Sequence, residues 1–185
     1  MGFDILLVGV ILLANPHHAL TDIIAAAIIA VAVRHAEGAL RDFRKARFFS
    51  YGLIAVGVAE VVFKYIFHLE LWSSIAEVWR YGILIPIGIY LISGISDFAI
   101  INENAEILTR AQGLKKPLYV SCIIAASVEA LAVLVPFCEA FSFVARIVAS
   151  IVIAMLAAVV YRCYKSVTTP KIDTEENKEN IENKS

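Results

Sequence analysis

The chain has 185 residues, 60% of them hydrophobic, with a mean hydropathy of +0.78 and a formal net charge of −1. Soluble domains are about half apolar, so this composition excludes an ordinary soluble fold, and the near-zero charge offers no bulk attraction to nucleic acid. Charged residues make up 18% and are clustered, which leaves long apolar windows between them.

The first such windows lie in residues 2–34: Phe3–Ala14, broken only by Asp4, and Ile23–Val33, separated by Asn15-Pro16-His17-His18. As one straight helix these 33 residues would measure about 50 Å at about 1.5 Å per residue, against a hydrocarbon core of about 30 Å. Pro16 lacks an N–H and disfavours helix at Asn15, so the stretch predicts two short helices meeting at a polar break. A hairpin would place both ends inside; one kinked crossing would place Met1 outside. Half-helices of 12–14 residues, about 20 Å each, favour a re-entrant hairpin, with Thr21 or Asp22 as N-cap of the second half. No charged segment precedes the first run and no A-x-A site follows it, so a cleavable signal peptide is not expected.

A basic segment, Arg34–Arg47, carries five Lys/Arg. The second span runs from about Phe48 to His68 and contains Glu60 and Lys64. The connector Leu69–Trp79 has two glutamates, two tryptophans and no Lys or Arg. A third span, roughly Arg80–Ile101, contains Pro86 and Asp97. The connector Asn102–Lys116 is followed by a fourth span, Pro117–Val135, with Glu129. A short turn, Pro136–Ala140, leads to the fifth, Phe141–Tyr164, with Arg146. Residues 1–165 read as a membrane helical domain, and 166–185, with eight charges in twenty residues, as a disordered polar tail. The connectors 34–47 and 102–116 and the C-terminus hold five, three and five Lys/Arg, while 69–79 and 136–140 hold none. By the positive-inside rule the basic connectors and the tail are cytoplasmic, and Trp72 and Trp79 belong to an outer aromatic belt. Cys122, Cys138 and Cys163 are an odd count at wide spacing, which suggests neither a disulfide framework nor a zinc site.

Depth makes the charges informative. Counted from the outer helix ends at 1.5 Å per residue, Lys64 and Glu60 lie about 8 and 13 Å deep, and Arg146 and Glu129 about 8 and 12 Å. Glu60 and Lys64 are i,i+4 neighbours in the favourable order, and the tight turn at 136–140 sets Glu129 opposite Arg146. Two acids and two bases then sum to zero in one layer. The hairpin tip reaches the same layer and brings Asn15, His17, His18, Thr21 and Asp22. Such backbone must be buried in protein or line a wet cavity, as at the broken helices of transporters. The candidate ligand-binding residues are therefore Asn15, His17, His18, Asp22, Glu60, Lys64, Glu129 and Arg146. The same four span charges could equally pair only to fix helix register.

No metal or other cofactor is expected: adjacent histidines diverge on a helix, and only His18–Asp22 has i,i+4 spacing. Asp97, near the inner end, is expected to pair with an inner-loop base. Arg146, Ser150, Ala154 and Ala158 recur every four residues and read as a small-residue packing face. Pro86, Tyr90, Ser93 and Asp97 share a face of the third span. No G-x-S-x-G, H-E-x-x-H, Walker or dinucleotide fingerprint occurs, which argues against an enzyme.

The short apolar helix, Asn15-Pro16, Asp22 leading an apolar run, and the basic Phe43-Arg-Lys-Ala-Arg47 together resemble the start of some small uncharacterised bacterial multispanning membrane proteins. The likeness covers about the first 50 residues and implies no activity. The expectation is an all-α, polytopic helical membrane protein of the cell membrane, with four full spans and a broken N-terminal hairpin. It would bind or transport a small solute or ion through its polar layer. The alternative is a structural or regulatory membrane protein without a substrate of its own. The expected partners are the lipid bilayer and a second copy or membrane partner protein, with no nucleic acid.

Overall fold

The computed structural model describes residues 2–15, 19–36 and 41–168. His17 and His18, and residues 169–185 of the expected tail, lie outside them. Among the described residues there are six α-helices and no strands: α1 Phe3–Leu13, α2 Ala19–Ala36, α3 Arg41–Val61, α4 Glu70–Ile101, α5 Ala105–Leu134 and α6 Glu139–Thr168. A π-helical turn, Val62–Ile66, prolongs α3, and a 3₁₀ turn, Pro136–Cys138, precedes α6. Four stretches are long and apolar enough to cross a membrane: Arg41–Ile66, Ile75–Ile101, Ala105–Leu134 and Glu139–Thr168. The chain is thus an all-α, multispanning membrane protein with a broken N-terminal hairpin.

The hairpin is antiparallel. A Cβ on Gly2 would stand 3.1 Å from the Ala32 carbonyl oxygen, and one on Gly9 2.7 Å from Cγ1 of Ile29, so α1 runs back along α2. Phe3, Leu6, Val10 and Leu13 form the buried face of α1, at helical spacing. Ile5, Val8 and Ile11 on the opposite face are exposed and equally apolar, as suits a helix whose solvent is lipid. Chain order is also packing order: each helix packs on the next, and α6 packs back on α1.

Consecutive helices alternate in direction, so the helix ends sort into two sets. The break, the end of α3, the start of α4 and the 136–138 turn share one end of the bundle. The opposite end holds the start of α3, with Arg41, Arg44, Lys45 and Arg47, together with Arg110, Arg162 and Lys165. Phe3, Phe43 and Phe98 close that basic end, with ring centroids 6.4 Å apart for Phe3–Phe43 and 4.9 Å for Phe3–Phe98. The Phe43 ring lies against Gly94, where an added Cβ would come within 2.5 Å of it.

Most helices run further than the apolar windows. α3 starts seven residues before Phe48, α4 ten before Arg80, and α5 twelve before Pro117. Backbone hydrogen bonding continues along the polar segments, and of the connector 102–116 only 102–104 remains as a loop, where Asn104 Oδ1 accepts from the Ile107 N–H at 3.1 Å. α2 likewise begins at Ala19, so Thr21 and Asp22 lie in its first turn instead of capping it.

Burial on α3 follows a 3.5-residue seam: Phe43, Ala46, Ser50, Leu53, Gly57 and Glu60. α5 repeats it with Ile107, Ala111, Leu114, Leu118, Cys122, Ala125 and Glu129. Each seam ends, toward the break, on a glutamate. On α6 the buried stripe is Ser142, Ala145, Ala149, Val152, Leu156, Val160 and Cys163. The expected stripe through Ser150, Ala154 and Ala158 lies beside it, with both alanines exposed. Asp97 is exposed and has no ion pair among the described residues.

Candidate functional site

The break end gathers charge from five helices. Asp22, in the first turn of α2, is 1% exposed, and Arg80 of α4 is 7% exposed. Arg80 grips the carboxylate side-on: Nη2 donates to Oδ1 at 2.9 Å, and Nε lies 2.5 Å from Oδ2. Arg80 Nη2 also reaches the Asn15 carbonyl oxygen at 3.3 Å. Asn15 ends the chain segment leaving α1, where a carbonyl has no helical donor. One guanidinium therefore ties the two arms of the hairpin to α4.

A second group joins α4, α5 and α6. Arg146 donates through Nη2 to Glu129 Oε2 at 2.9 Å and through Nε to Glu129 Oε1. The same Nη2 donates to Glu77 Oε2. Ser142, one turn before Arg146, donates its hydroxyl to Glu129 Oε1 at 2.5 Å. The expected Glu129–Arg146 pairing is present, and Glu77 makes it a triad.

The expected Glu60–Lys64 pair does not form. The π-helical turn begins two residues after Glu60. Its wider winding displaces side chains from i,i+4 register. Lys64 is exposed, with its ammonium 5.8 Å from the centre of the Tyr65 ring. Glu60 stays on the inward seam, 8% exposed, with no ion pair or hydrogen bond among the described residues. Its side chain borders a cavity of about 280 Å³ lined also by Ala19, Leu20, Lys64, Glu77 and Arg146.

The predicted set is thus redistributed. Asn15 and Asp22 join Arg80, Glu129 and Arg146 join Glu77, and Glu60 and Lys64 face the cavity. His17 and His18 lie outside the described residues. Among those residues, no three His, Cys, Asp or Glu side chains are grouped closely enough to hold a metal ion. Sequence reasoning missed Arg80 and Glu77 by treating Trp79-Arg80 as the membrane edge. The available signal was the Glu77-x-x-Arg80 spacing, which sets opposite charges one turn apart on a helix continuous into the apolar run. Four carboxylates, Asp22, Glu60, Glu77 and Glu129, face three bases, Lys64, Arg80 and Arg146. The group carries one formal negative charge in place of the expected zero.

Comparison of the chain with models of protein families, with curated proteins and with solved structures finds no match.

Proposed function

We propose that this multispanning membrane protein binds a small cation or cationic solute in the cavity beside Glu60, as part of moving it across the membrane. One observation carries the reading: a carboxylate on the packing seam, more than nine-tenths buried, has no ion pair or hydrogen bond among the described residues and borders open space. An unpaired carboxylate in such surroundings costs several kcal/mol, and a bound proton or cation removes that cost. Arg146 is committed to Glu77 and Glu129, and Arg80 to Asp22 and the Asn15 carbonyl. Lys64, at the cavity's edge, is left to exchange with an arriving positive charge. In this reading the cavity opens on the outer side of the cell membrane. The basic end and the C-terminus then face the cytoplasm, by the distribution of Lys and Arg.

A second reading has its own support in the closed Asp22–Arg80 pair and the Glu77–Arg146–Glu129 triad. Both fix helix register without a ligand, so a packing role is assigned to those residues and the binding role to Glu60.

The test is thermal unfolding of the purified protein in chloride salts of sodium, potassium, ammonium and ethylammonium, against N-methylglucamine at constant ionic strength. At least one small cation should raise Tm in the parent protein, and Glu60→Gln should abolish the rise. Identical responses in parent and variant would remove Glu60 from any site.

A further inference from the structure

A second cavity, of about 360 Å³, lies at the basic end, between the first half of α5 and the last half of α6. Arg110 and Arg162 line its end nearer the 102–104 loop, which forms the mouth, and Gly113, Leu114, Pro117 and Met155 line it further along. The two arginines share one carboxylate: Arg110 Nη2 lies 3.1 Å from Glu106 Oε1, and Arg162 Nη1 donates to the same oxygen. Two guanidiniums on one carboxylate leave a net positive charge, and Lys165 borders the adjoining recess beside Arg162. Each guanidinium carries five N–H donors, so a single acceptor oxygen leaves both able to take a further anion. Both arginine side chains are roughly half exposed.

Below the mouth the lining turns apolar, and two features hold it open. A Cβ on Gly113 would meet no atom within 4 Å, so the groove there is bounded by bare backbone. Pro117, one turn on, has no N–H to offer the Gly113 carbonyl, which leaves an acceptor without its usual helical donor beside the same gap. A cationic mouth, a backbone acceptor and an apolar floor in succession match an amphiphile with an anionic head. Free phosphate would use only the mouth. A zwitterionic headgroup would bring a cation to a mouth that is already positive.

We infer that this groove binds an anionic phospholipid, its phosphodiester on Arg110 and Arg162 and one acyl chain along Leu114, Pro117 and Met155. The experiment is native mass spectrometry of the full chain in detergent, titrated with phosphatidylglycerol or with phosphatidylcholine of the same acyl chains. Phosphatidylglycerol should bind at least about ten-fold more tightly. Replacing one arginine, as Arg110→Gln or Arg162→Gln, should weaken it about five-fold, the scale for one basic residue at an anionic surface. Gly113→Leu, whose Cβ meets nothing within 4 Å, should abolish binding without lowering Tm. Equal occupancy by the two lipids would overturn the inference, as would a Gly113→Leu protein that binds phosphatidylglycerol like the parent. Competition by millimolar inorganic phosphate to the same extent as by lipid would assign only the mouth and overturn it too. A dimer lost on Gly113→Leu in the absence of lipid would give the groove to a second copy instead.

Discussion

Replacing Asp22 with Asn keeps the shape of the side chain and removes its charge, which isolates what the pair with Arg80 contributes. Both partners are nearly inaccessible, at 1% and 7% exposure. The arginine would keep the Asn15 carbonyl and an amide oxygen but lose the charge of Asp22. Breaking a buried pair from one side costs about 3–5 kcal/mol, because a charge is left uncompensated, so Asp22→Asn is expected to cost that much. Arg80→Met should cost a similar amount, since it strands Asp22 and releases the Asn15 carbonyl. The double variant removes both charges and should be less destabilised than the sum of the singles by about 3 kcal/mol. The assay is reversible unfolding in mixed detergent micelles, read by helical circular dichroism, for the parent and all three variants. A coupling under about 0.5 kcal/mol, the range of independent sites, would refute the claim that this pair ties the hairpin to α4.

The triad should behave differently from that pair. Glu129→Gln leaves Arg146 with Glu77, so in the same unfolding assay it should cost about 1–3 kcal/mol, clearly less than Asp22→Asn. Adding Arg146→Met then strands Glu77, so that double variant should recover little unless Glu77→Gln is added. Gly94→Ala, whose Cβ would sit 2.5 Å from the Phe43 ring, should destabilise by about 1–3 kcal/mol. Gly82→Ala, which meets nothing within 4 Å, should stabilise by up to about 1 kcal/mol through helix propensity, and the two Tm values check this. Reporter fusions after Gln112 and Ser166 should both be active in the cytoplasm, and a reporter at Gln112 active on the outer side would reverse the proposed orientation.

Apolar windows located the spans because a helix in lipid has no need of a polar face, and Asn15-Pro16 located the break because proline cannot continue a helix. The Glu129–Arg146 pair is legible in the sequence because the short turn at 136–138 leaves two antiparallel helices little freedom of register. The Glu60–Lys64 pair expected from i,i+4 spacing does not form because that spacing assumes α geometry. Nothing in Val62-Phe-Lys-Tyr-Ile66 announces a π turn. Arg80 and Glu77 were hidden for another reason: hydropathy marks where the lipid-facing surface ends, and α4 continues past it into protein surroundings. The seam of α3, 43-46-50-53-57-60, is legible in the sequence and would have shown that Glu60 points inward. That it forms no ion pair among the described residues depends on how Arg80 and Arg146 engage Asp22, Glu77 and Glu129, which only the packed helices reveal.

The most direct measurement on the Glu60 cavity is residue-resolved modification by a hydrophobic carbodiimide. The reagent adds to a protonated carboxyl group and leaves a stable N-acylurea that peptide mass mapping can locate. Glu60, without an ion pair among the described residues and bordering open space, should react first, while Asp22 and Glu129, held by arginines, should be slow. Whichever of sodium, potassium, ammonium or ethylammonium raises Tm should slow the reaction at Glu60 in proportion to its occupancy. Modification of Glu129 or Asp22 as fast as Glu60, or a Glu60 rate that no cation changes, would contradict a cation site at this carboxylate.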